Sequence, residues 1–443
     1  MNKVLAATMA IAGIGLAAPA TLNAQINAAD SVMQHAKGNR LSVGGYGEVA
    51  LSRNFYSDNV YRYTTPGKYK NDPSHGRFDI PHAVIYLSYD FGKGWTMSSE
   101  IEFEHTGTGG AQEKEFTEGG EWEQETEKGG EVELEQFFLQ KSFARWANIR
   151  IGHFVVPVGL NNAHHEPLNF FTVYRPEGEN TILPSTWHDT GISLWGRAGD
   201  FKYEFQVIAG LDAFMFNREN WVQKGAGSPF EFKTANKYGF VARFDNYTVP
   251  GLRIGLSGYY GKAMHNSFPH DWEGKDENGK PKTNDKIKGE VAIGSVDFTF
   301  NKFNWIVRGN ADYGYVGDAA EINILKRNLT ANNAPYQKTP VGKNAVAMGI
   351  EAGYDIFSQI AKLRADHQKF YVFGRYEYYN TYIPDRTQQR YNYTSKKRMA
   401  FGVNYYPLPQ IAVKAEYSKR FYKSGYNNEP SISLGIAYEA FFL

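Results

Sequence analysis

Residues 411–422, IAVKAEYSKRFY, alternate apolar and polar side chains. Successive side chains of a β-strand point to opposite faces, so this segment would have one apolar face and one charged face. The apolar face would carry Ile411, Val413, Ala415, Tyr417 and Phe421, and the polar face Lys414, Glu416, Ser418 and Arg420. Such a strand separates an apolar environment from an aqueous one.

The same alternation recurs after residue 40 and predicts sixteen strands of about ten residues. They are placed near 40–52, 77–90, 94–106, 131–142, 147–156, 188–198, 201–212, 237–246, 251–264, 287–300, 303–316, 344–356, 369–383, 398–408, 411–422 and 429–442. A membrane-spanning strand needs about 9–11 residues, and each segment reaches about that length.

The connections between these segments alternate in length. Short turns are predicted at 91–93, 144–146, 199–200, 248–250, 301–302 and 409–410, and long loops at 53–76, 107–130, 157–187, 213–236, 265–286, 317–343 and 384–397. One further turn, 357–368, has room for a helical turn. Short turns on one rim and long loops on the other are typical of an outer-membrane barrel, whereas a soluble β-sandwich has no reason to alternate in this way.

The predicted fold class is therefore all-β: a transmembrane, antiparallel up-and-down β-barrel of about 16 strands, with short periplasmic turns and long extracellular loops. Closure of the barrel pairs every backbone group, which the bilayer core requires. Several aromatic residues lie near strand ends or on the outward face and are expected to form an interfacial girdle: Trp95, Trp146, Trp195, Trp305, Tyr376, Tyr378 and Tyr379.

The N-terminus predicts export. Lys3 precedes the apolar run VLAATMAIAGIGLAAPA, and small residues follow it up to Ala24. This pattern indicates a signal peptide at 1–24, rather than a transmembrane helix, because the run is short and no charged stop follows it. We expect a short periplasmic segment at 25–39, the barrel at 40–443, and a location in the bacterial outer membrane.

The composition excludes several classes of protein. The 443 residues include 30 Phe and 30 Tyr but no Cys, with a mean hydropathy of −0.51. Zero Cys removes disulfide scaffolds, thiolate zinc sites and cysteine nucleophiles. The mature chain would be formally neutral, which disfavours a nucleic-acid partner. Residues 113–135 hold ten Glu and two Lys, a net charge of −8, so the remainder is near +8.

Charged side chains on the inward faces are the candidates for ion selectivity, because rings of fixed charge in a pore select ions by sign. The interpretation left open is that most of them pair across the lumen. The candidates for pore lining and selectivity are Arg150, Arg175, Arg197, Arg243, Arg253, Arg308, Arg375, Lys414, Arg420, Glu377 and Glu416.

The third long loop, 157–187, has few of the Gly and Ser residues of a flexible tip and contains four Pro and an aromatic trio. We expect it to fold into the lumen and constrict the pore; a compact extracellular cap is the alternative. An inserted loop would bring His164, His165, Glu166, Arg175, Glu177 and Glu179 near the constriction.

The segment IRIGHFVVPVGL at 149–160, together with HDTGISLWG at 188–196, resembles the phosphate-selective porin O/P family of outer-membrane proteins. Gly152, Phe154, Pro157 and Gly159 match its G-x-F-x-x-P-x-G strand end. The resemblance implies a sixteen-stranded, homotrimeric porin whose third loop enters the channel. The family's ladders of Arg and clusters of Lys are only partly matched, since the inward faces here mix carboxylates with Arg.

Other chemistry is weakly supported. His164-His165-Glu166 could suggest metal ligands, but adjacent histidines point in different directions, so neither metal nor cofactor is expected. No P-loop, G-x-S-x-G or H-E-x-x-H motif occurs, so no enzymatic activity is predicted.

The predicted function is passive diffusion of small hydrophilic solutes, with a weak preference for anions or phosphate. The expected surroundings are outer-membrane lipid and lipopolysaccharide. A non-conducting structural or adhesive barrel is the alternative, followed by a barrel hydrolase.

Overall fold

A computed structural model describes residues 40–105, 110–116, 122–128, 131–227, 233–266, 287–328, 339–386 and 388–443. The predicted signal peptide and periplasmic segment, 1–39, lie outside these residues. The strands are β1 Leu41–Asn54, β2 His75–Asp79, β3 His82–Gly92, β4 Trp95–Glu104, β5 Gly110–Phe116, β6 Trp122–Lys128, β7 Glu131–Ala144, β8 Ala147–Val155, β9 His188–Ala198, β10 Phe201–Ile208, β11 Gly239–Asn246, β12 Leu252–Lys262, β13 Glu290–Lys302, β14 Trp305–Val316, β15 Asn344–Asp355, β16 Lys369–Ile383, β17 Ser395–Leu408, β18 Ile411–Phe421 and β19 Glu429–Phe441.

Sixteen of these strands close into one antiparallel barrel. Each strand pairs with the next along the chain from β7 to β19, β3 pairs with β4 and β4 with β7, and β1 joins β19 to β3. The short strand β2 pairs with the end of β1 beyond β3. Strands β5 and β6 form a separate hairpin within the second long loop. The predicted all-β barrel and its strand number are confirmed.

The two faces of the wall have opposite polarity. Val413, Tyr417 and Leu434 are 45%, 45% and 49% exposed on the outside, whereas Lys414 and Glu416 are 2% and 4% exposed on the inside. A soluble protein places its apolar side chains inside. The reversed sorting fits a wall whose outer face meets lipid.

Short helices occupy the connections. They lie at Val60–Tyr63, Leu160–Ala163, Pro167–Asn169, Glu177–Ile182, Ala213–Met215, Gln223–Ala226, Met264–Asn266, Ala319–Asn328, Ile356–Gln359, Ala361–Ala365 and Asn392–Thr394. The two at 356–365 form the helical turn that the sequence left room for. Among the helices of the described residues, none is long and apolar enough to cross a membrane.

An apolar core lies inside the barrel at the rim with the long loops. Trp187, Phe214, Trp221, Ile322 and Val341 come from three of these loops, are at most 1% exposed, and join inward-facing wall residues in one cluster. The long loops therefore fold over one another and fill part of this rim.

Three details differ from the sequence predictions. Strand β10 ends at Ile208, so Leu211 is a fully buried loop residue instead of an outward one. Trp195 was expected in an outer aromatic girdle, but it is 9% exposed and its Nε1 donates to Gln140 inside the barrel. Tyr379 also faces inward and is fully buried. Single aromatic residues fit either face, so their type placed them outward, although alternation puts Trp195 on the face of Arg197 and Tyr379 on the face of Glu377.

Candidate functional site

The loop 157–187, here called L3, connects β8 to β9, and each of its residues is buried or half-buried. Its first turn explains why residue 159 is glycine. Gly159 has a φ of 90°, and a Cβ there would lie 2.2 Å from Glu179 Oε1. That position therefore requires glycine, both for backbone freedom and for space.

L3 is bound to the inner wall through its backbone. Lys414 Nζ donates to the carbonyl oxygens of Pro167, Phe170 and Thr172 at 2.5, 2.9 and 3.0 Å. Val173 N donates to a carboxylate oxygen of Glu416 at 2.9 Å. Wall side chains thus supply the hydrogen bonds that an irregular backbone needs when it is buried.

Further contacts lie along other strands. Gly178 N donates to Glu377 at 3.0 Å, and Gly159 N donates to Ser257 Oγ at 3.0 Å. Arg243 Nη1 donates to the carbonyls of Pro157 and Gly159 at 3.2 and 3.0 Å. Since β11, β12, β16 and β18 all take part, L3 lies inside the ring of strands.

Across β14 to β18 the inward side chains form a charge belt of alternating sign. Its members are Arg308, Glu351, Arg375, Glu377, Arg398 and Glu416, with successive N–O distances of 2.7, 3.2, 3.1, 3.1 and 2.8 Å. A second paired group on β11 to β13 joins Arg243 and Arg253 to Asp245 and Asp297 at 2.6–3.2 Å. Each arginine of both groups is therefore compensated by carboxylates.

Arg420 connects the wall to the helix of L3 at 177–182. Its Nε donates to Glu177 at 2.6 Å, and its Nη1 lies 3.0 Å from Glu429. Burial alone would raise the pKa of Glu177, but the guanidinium groups of Arg420 and Arg398 lower it to about 2. Glu177 therefore stays charged at neutral pH.

The remaining predicted arginines occupy separate places. Arg150 is buried, with its Nε donating to Gln140 at 2.9 Å and its guanidinium 4.7 Å from the ring centroid of Trp195. Arg197 is half-buried next to the short turn at 199–200, beside the ring of Tyr247. The predicted residues thus fall into several groups and do not form one continuous ladder.

Burial also shifts the pKa of two further L3 groups, His164 and Glu179. Burial, assisted by Arg253 and Arg243, lowers the pKa of His164 well below its usual value, so the ring is neutral. Burial, followed by the charge of Asp312, raises the pKa of Glu179 well above its usual value. Glu179 also accepts a hydrogen bond from Asn161 N at 2.7 Å and so fixes the first turn of L3.

The opposite sector of the lumen, on β1 to β7, is rich in carboxylates. Glu100, Glu102 and Glu135 are each 1% exposed, and they face His165 and Arg175 of L3. Burial would lower the pKa of His165, but Glu166 and Glu100 raise it to about 9. Arg175 Nη2 donates to Tyr46 OH at 3.2 Å and lies 3.9 Å from Glu102.

Glu135 was absent from the predicted site because a β-bulge redirects it. Glu100 pairs with Gln136 while Ile101 pairs with Leu134, so Glu135 is an extra residue on β7. Both Glu135 and Gln136 consequently face inward. The sequence holds the signal, since the outward apolar residues Leu134 and Phe137 are three positions apart instead of two.

The barrel is similar to solved structures of outer-membrane proteins. Among solved structures, the barrel is similar to OmpF of Salmonella typhi in complex with daunomycin, at a TM-score of 0.51 and 11% identity over 91% of this chain and 98% of that chain. It is also similar to the anion-selective porin of Comamonas acidovorans, at a TM-score of 0.50 and 9% identity over 90% of this chain and 99% of that chain. For the outer-membrane channel DcaP of Acinetobacter baumannii, the TM-score is 0.50 and the identity 10%, over 90% of this chain and 97% of that chain.

This chain has the fold of an outer-membrane porin. Identities of 9–11% show the fold alone. No family model matches, so membership of the phosphate-selective porin O/P family stays a prediction. A protein of Aquifex aeolicus (strain VF5) described as uncharacterized is 27% identical over 406 residues, which are 91% of this chain and 80% of that protein.

Proposed function

We propose that this chain is an outer-membrane porin that passes small hydrophilic solutes and ions by diffusion. The observation that carries the proposal is the sorting of the wall, in which apolar side chains face outward and ionised ones face an enclosed polar lumen. Sixteen strands enclose a space wider than a packed eight-stranded barrel, so solutes can pass if the loops leave a path.

L3 would set the size of that path. It is bound to β11, β12, β16 and β18 on one side and faces β4 and β7 on the other. We therefore expect a narrow channel with a small conductance.

Single-channel recording in planar bilayers tests the proposal. Purified full-length protein should produce stable, stepwise currents in potassium chloride. A folded protein that produces no steps would favour the alternative, a structural or adhesive barrel. Hydrolysis of phospholipid or peptide substrates would instead favour a barrel enzyme.

Two preferences stay predictions: the one for anions rests on the charge count, and the one for phosphate on the resemblance at 149–196. The ion pairs of the charge belt bear on the strength of the anion preference: because carboxylates compensate these arginines, the net fixed charge along that wall is small. We expect an anion-to-cation permeability ratio only slightly above one. Reversal potentials in chloride and phosphate gradients measure it, and a preference for cations would contradict the prediction.

Assembly and location complete the proposal. We propose a homotrimer in the outer membrane, because the fold and the resemblance at 149–196 both favour this assembly and location. The N-terminal sequence further favours export with a signal peptide at 1–24. Mass determination in detergent tests the trimer, and N-terminal sequencing of the exported protein tests cleavage after Ala24. A monomer, or a protein that starts at Met1, would contradict these points.

A further inference from the structure

Three ligating side chains from separate parts of the chain meet in the carboxylate-rich sector. Glu100 of β4, Glu135 of β7 and His165 of L3 each offer one atom, and these atoms lie within 4.8 Å of one another. All three side chains are at most 2% exposed. Burying two carboxylates is costly unless positive charge compensates them.

Four buried polar atoms of this group have no hydrogen-bond partner among the described residues. They are Glu100 Oε1, Glu135 Oε2 and both ring nitrogens of His165. His165 Nε2 lies 3.5 Å from Glu100 Oε1. Two ligands bound to one tetrahedral ion at about 2.1 Å are about 3.4 Å apart, so this spacing suits a shared ion.

Nearby charges leave the sector negative. Glu102 adds a third carboxylate, and Glu166 Oε1 is buried with no hydrogen-bond partner among the described residues. Arg175 supplies a guanidinium, 3.9 Å from Glu102. Even when the His165 ring is counted as charged, the four carboxylates outnumber the positive charges described here, and a divalent cation would correct the imbalance.

The backbone is shaped to form this group. The β-bulge at Glu135 turns a residue inward that regular pairing would have turned toward lipid or displaced along the strand. Bulges commonly redirect side chains next to functional sites. His165 belongs to L3, so an ion bound here would join the loop to the wall at β4 and β7.

We propose that Glu100, Glu135 and His165 bind a divalent transition-metal ion in the lumen. Two carboxylates with one imidazole suit Zn²⁺ and its neighbours better than Mg²⁺ or Ca²⁺, which prefer oxygen ligands alone. The site goes beyond diffusion of solutes, because it places a resident cation at the contact between L3 and the wall.

A neighbouring group, His82 with Glu102 and Glu104, has to be distinguished from this site. His82 Nδ1 already bonds to Glu48 Oε1 at 2.6 Å, and its Nε2 lies 4.0 and 3.8 Å from the other two carboxylates. Its imidazole is therefore partly engaged, and the variant His82→Gln serves to separate the two.

The test is calorimetric titration of Zn²⁺ into full-length, detergent-folded protein that has been treated with EDTA and carries no histidine tag. The wild type should show saturable binding. Glu135→Gln and His165→Gln should each weaken it at least about tenfold. His82→Gln should retain it, as should Glu204→Gln, a matched control in which another buried inward carboxylate of β10 is neutralised.

Heat-modifiable migration in gels confirms that each variant is folded, and His165→Gln alters only the loop. Absence of saturable Zn²⁺ binding in the wild type, or equal binding by folded Glu135→Gln and His165→Gln, would overturn the proposal. Binding is measured without any current, so its failure is distinct from a failure of the porin function.

Discussion

Lys414→Met should release the middle of L3 from the wall. Lys414 is 2% exposed, and its ammonium group donates to three carbonyl oxygens at 2.5–3.0 Å, while methionine keeps about the same chain length but donates nothing. Each buried acceptor left without a donor costs about 1–3 kcal/mol. These costs are not additive, so about 3 kcal/mol is a conservative total.

A loss of about 3 kcal/mol raises the opening equilibrium of the loop roughly 100-fold. Hydrogen exchange followed by mass spectrometry reads this directly in peptides that cover 160–175. The amides of this segment should exchange roughly 100-fold faster in Lys414→Met, while strand amides keep their protection. In planar bilayers the variant should show a larger, noisier conductance.

The matched control is Lys397→Met. Lys397 lies on the neighbouring strand β17 but is exposed on the outer face, so the same substitution removes a charge without touching L3. Equal exchange of L3 in the wild type, Lys414→Met and Lys397→Met would refute the reasoning that these hydrogen bonds hold the loop.

Three further predictions concern the wall, the loops and the first turn of L3. Leu434→Arg places a charge on the lipid face near the middle of β19. It should lower the free energy of unfolding, measured by denaturant titration in bilayers, by about 2–4 kcal/mol. An unchanged free energy of unfolding would argue against lipid contact. Burial lowers the pKa of Lys326 from 10.5 to about 7, although the charges of Glu219 and Asp212 oppose this shift. Between pH 7 and 10.5 the unfolded loop therefore binds more protons than the folded loop. The folded loop consequently gains stability as the pH rises through this range. The test is the rate at which a protease cleaves the helix 319–328, measured in the wild type and in Lys326→Met. The ratio of the wild-type rate to the variant rate should be lower at pH 9 than at pH 6; a constant ratio would contradict this. Gly159→Ala should lower the protection of L3 by more than about 1–2 kcal/mol, because the clash of the added Cβ with Glu179 adds to the cost of the positive φ; unchanged exchange would contradict the strain.

The sequence predicted the barrel because its signal is local. Alternation with period two depends only on neighbouring residues, and the bilayer requires it in every strand. The β18 face that carries Lys414 and Glu416 was therefore predicted correctly. The pairing of each arginine with carboxylates on adjacent strands was foreseen only as a general possibility, because the register is fixed by the closed sheet.

The site was harder to predict because it depends on distant contacts. Lys414 binds carbonyl groups about 240 residues earlier in the chain, and no sequence pattern indicates such a partner. Glu135 escaped notice because one bulge reverses the alternation after it. Trp195 was assigned outward because indole suits both a membrane interface and a buried polar partner such as Gln140.

The central claim, that L3 is folded into the lumen against the wall, is tested most directly by a disulfide. The chain has no cysteine, and a Cβ built at Gly435 of β19 lies 3.8 Å from the Cβ of Val173 in L3, which is the spacing of a disulfide. The double variant Val173→Cys/Gly435→Cys should form a cross-link under mild oxidation. The oxidised and the reduced forms of this variant should have the same single-channel conductance. The pair Val173→Cys and Leu434→Cys, whose second position faces lipid, should stay reduced. A folded Val173→Cys/Gly435→Cys protein that forms no cross-link would contradict the placement of L3.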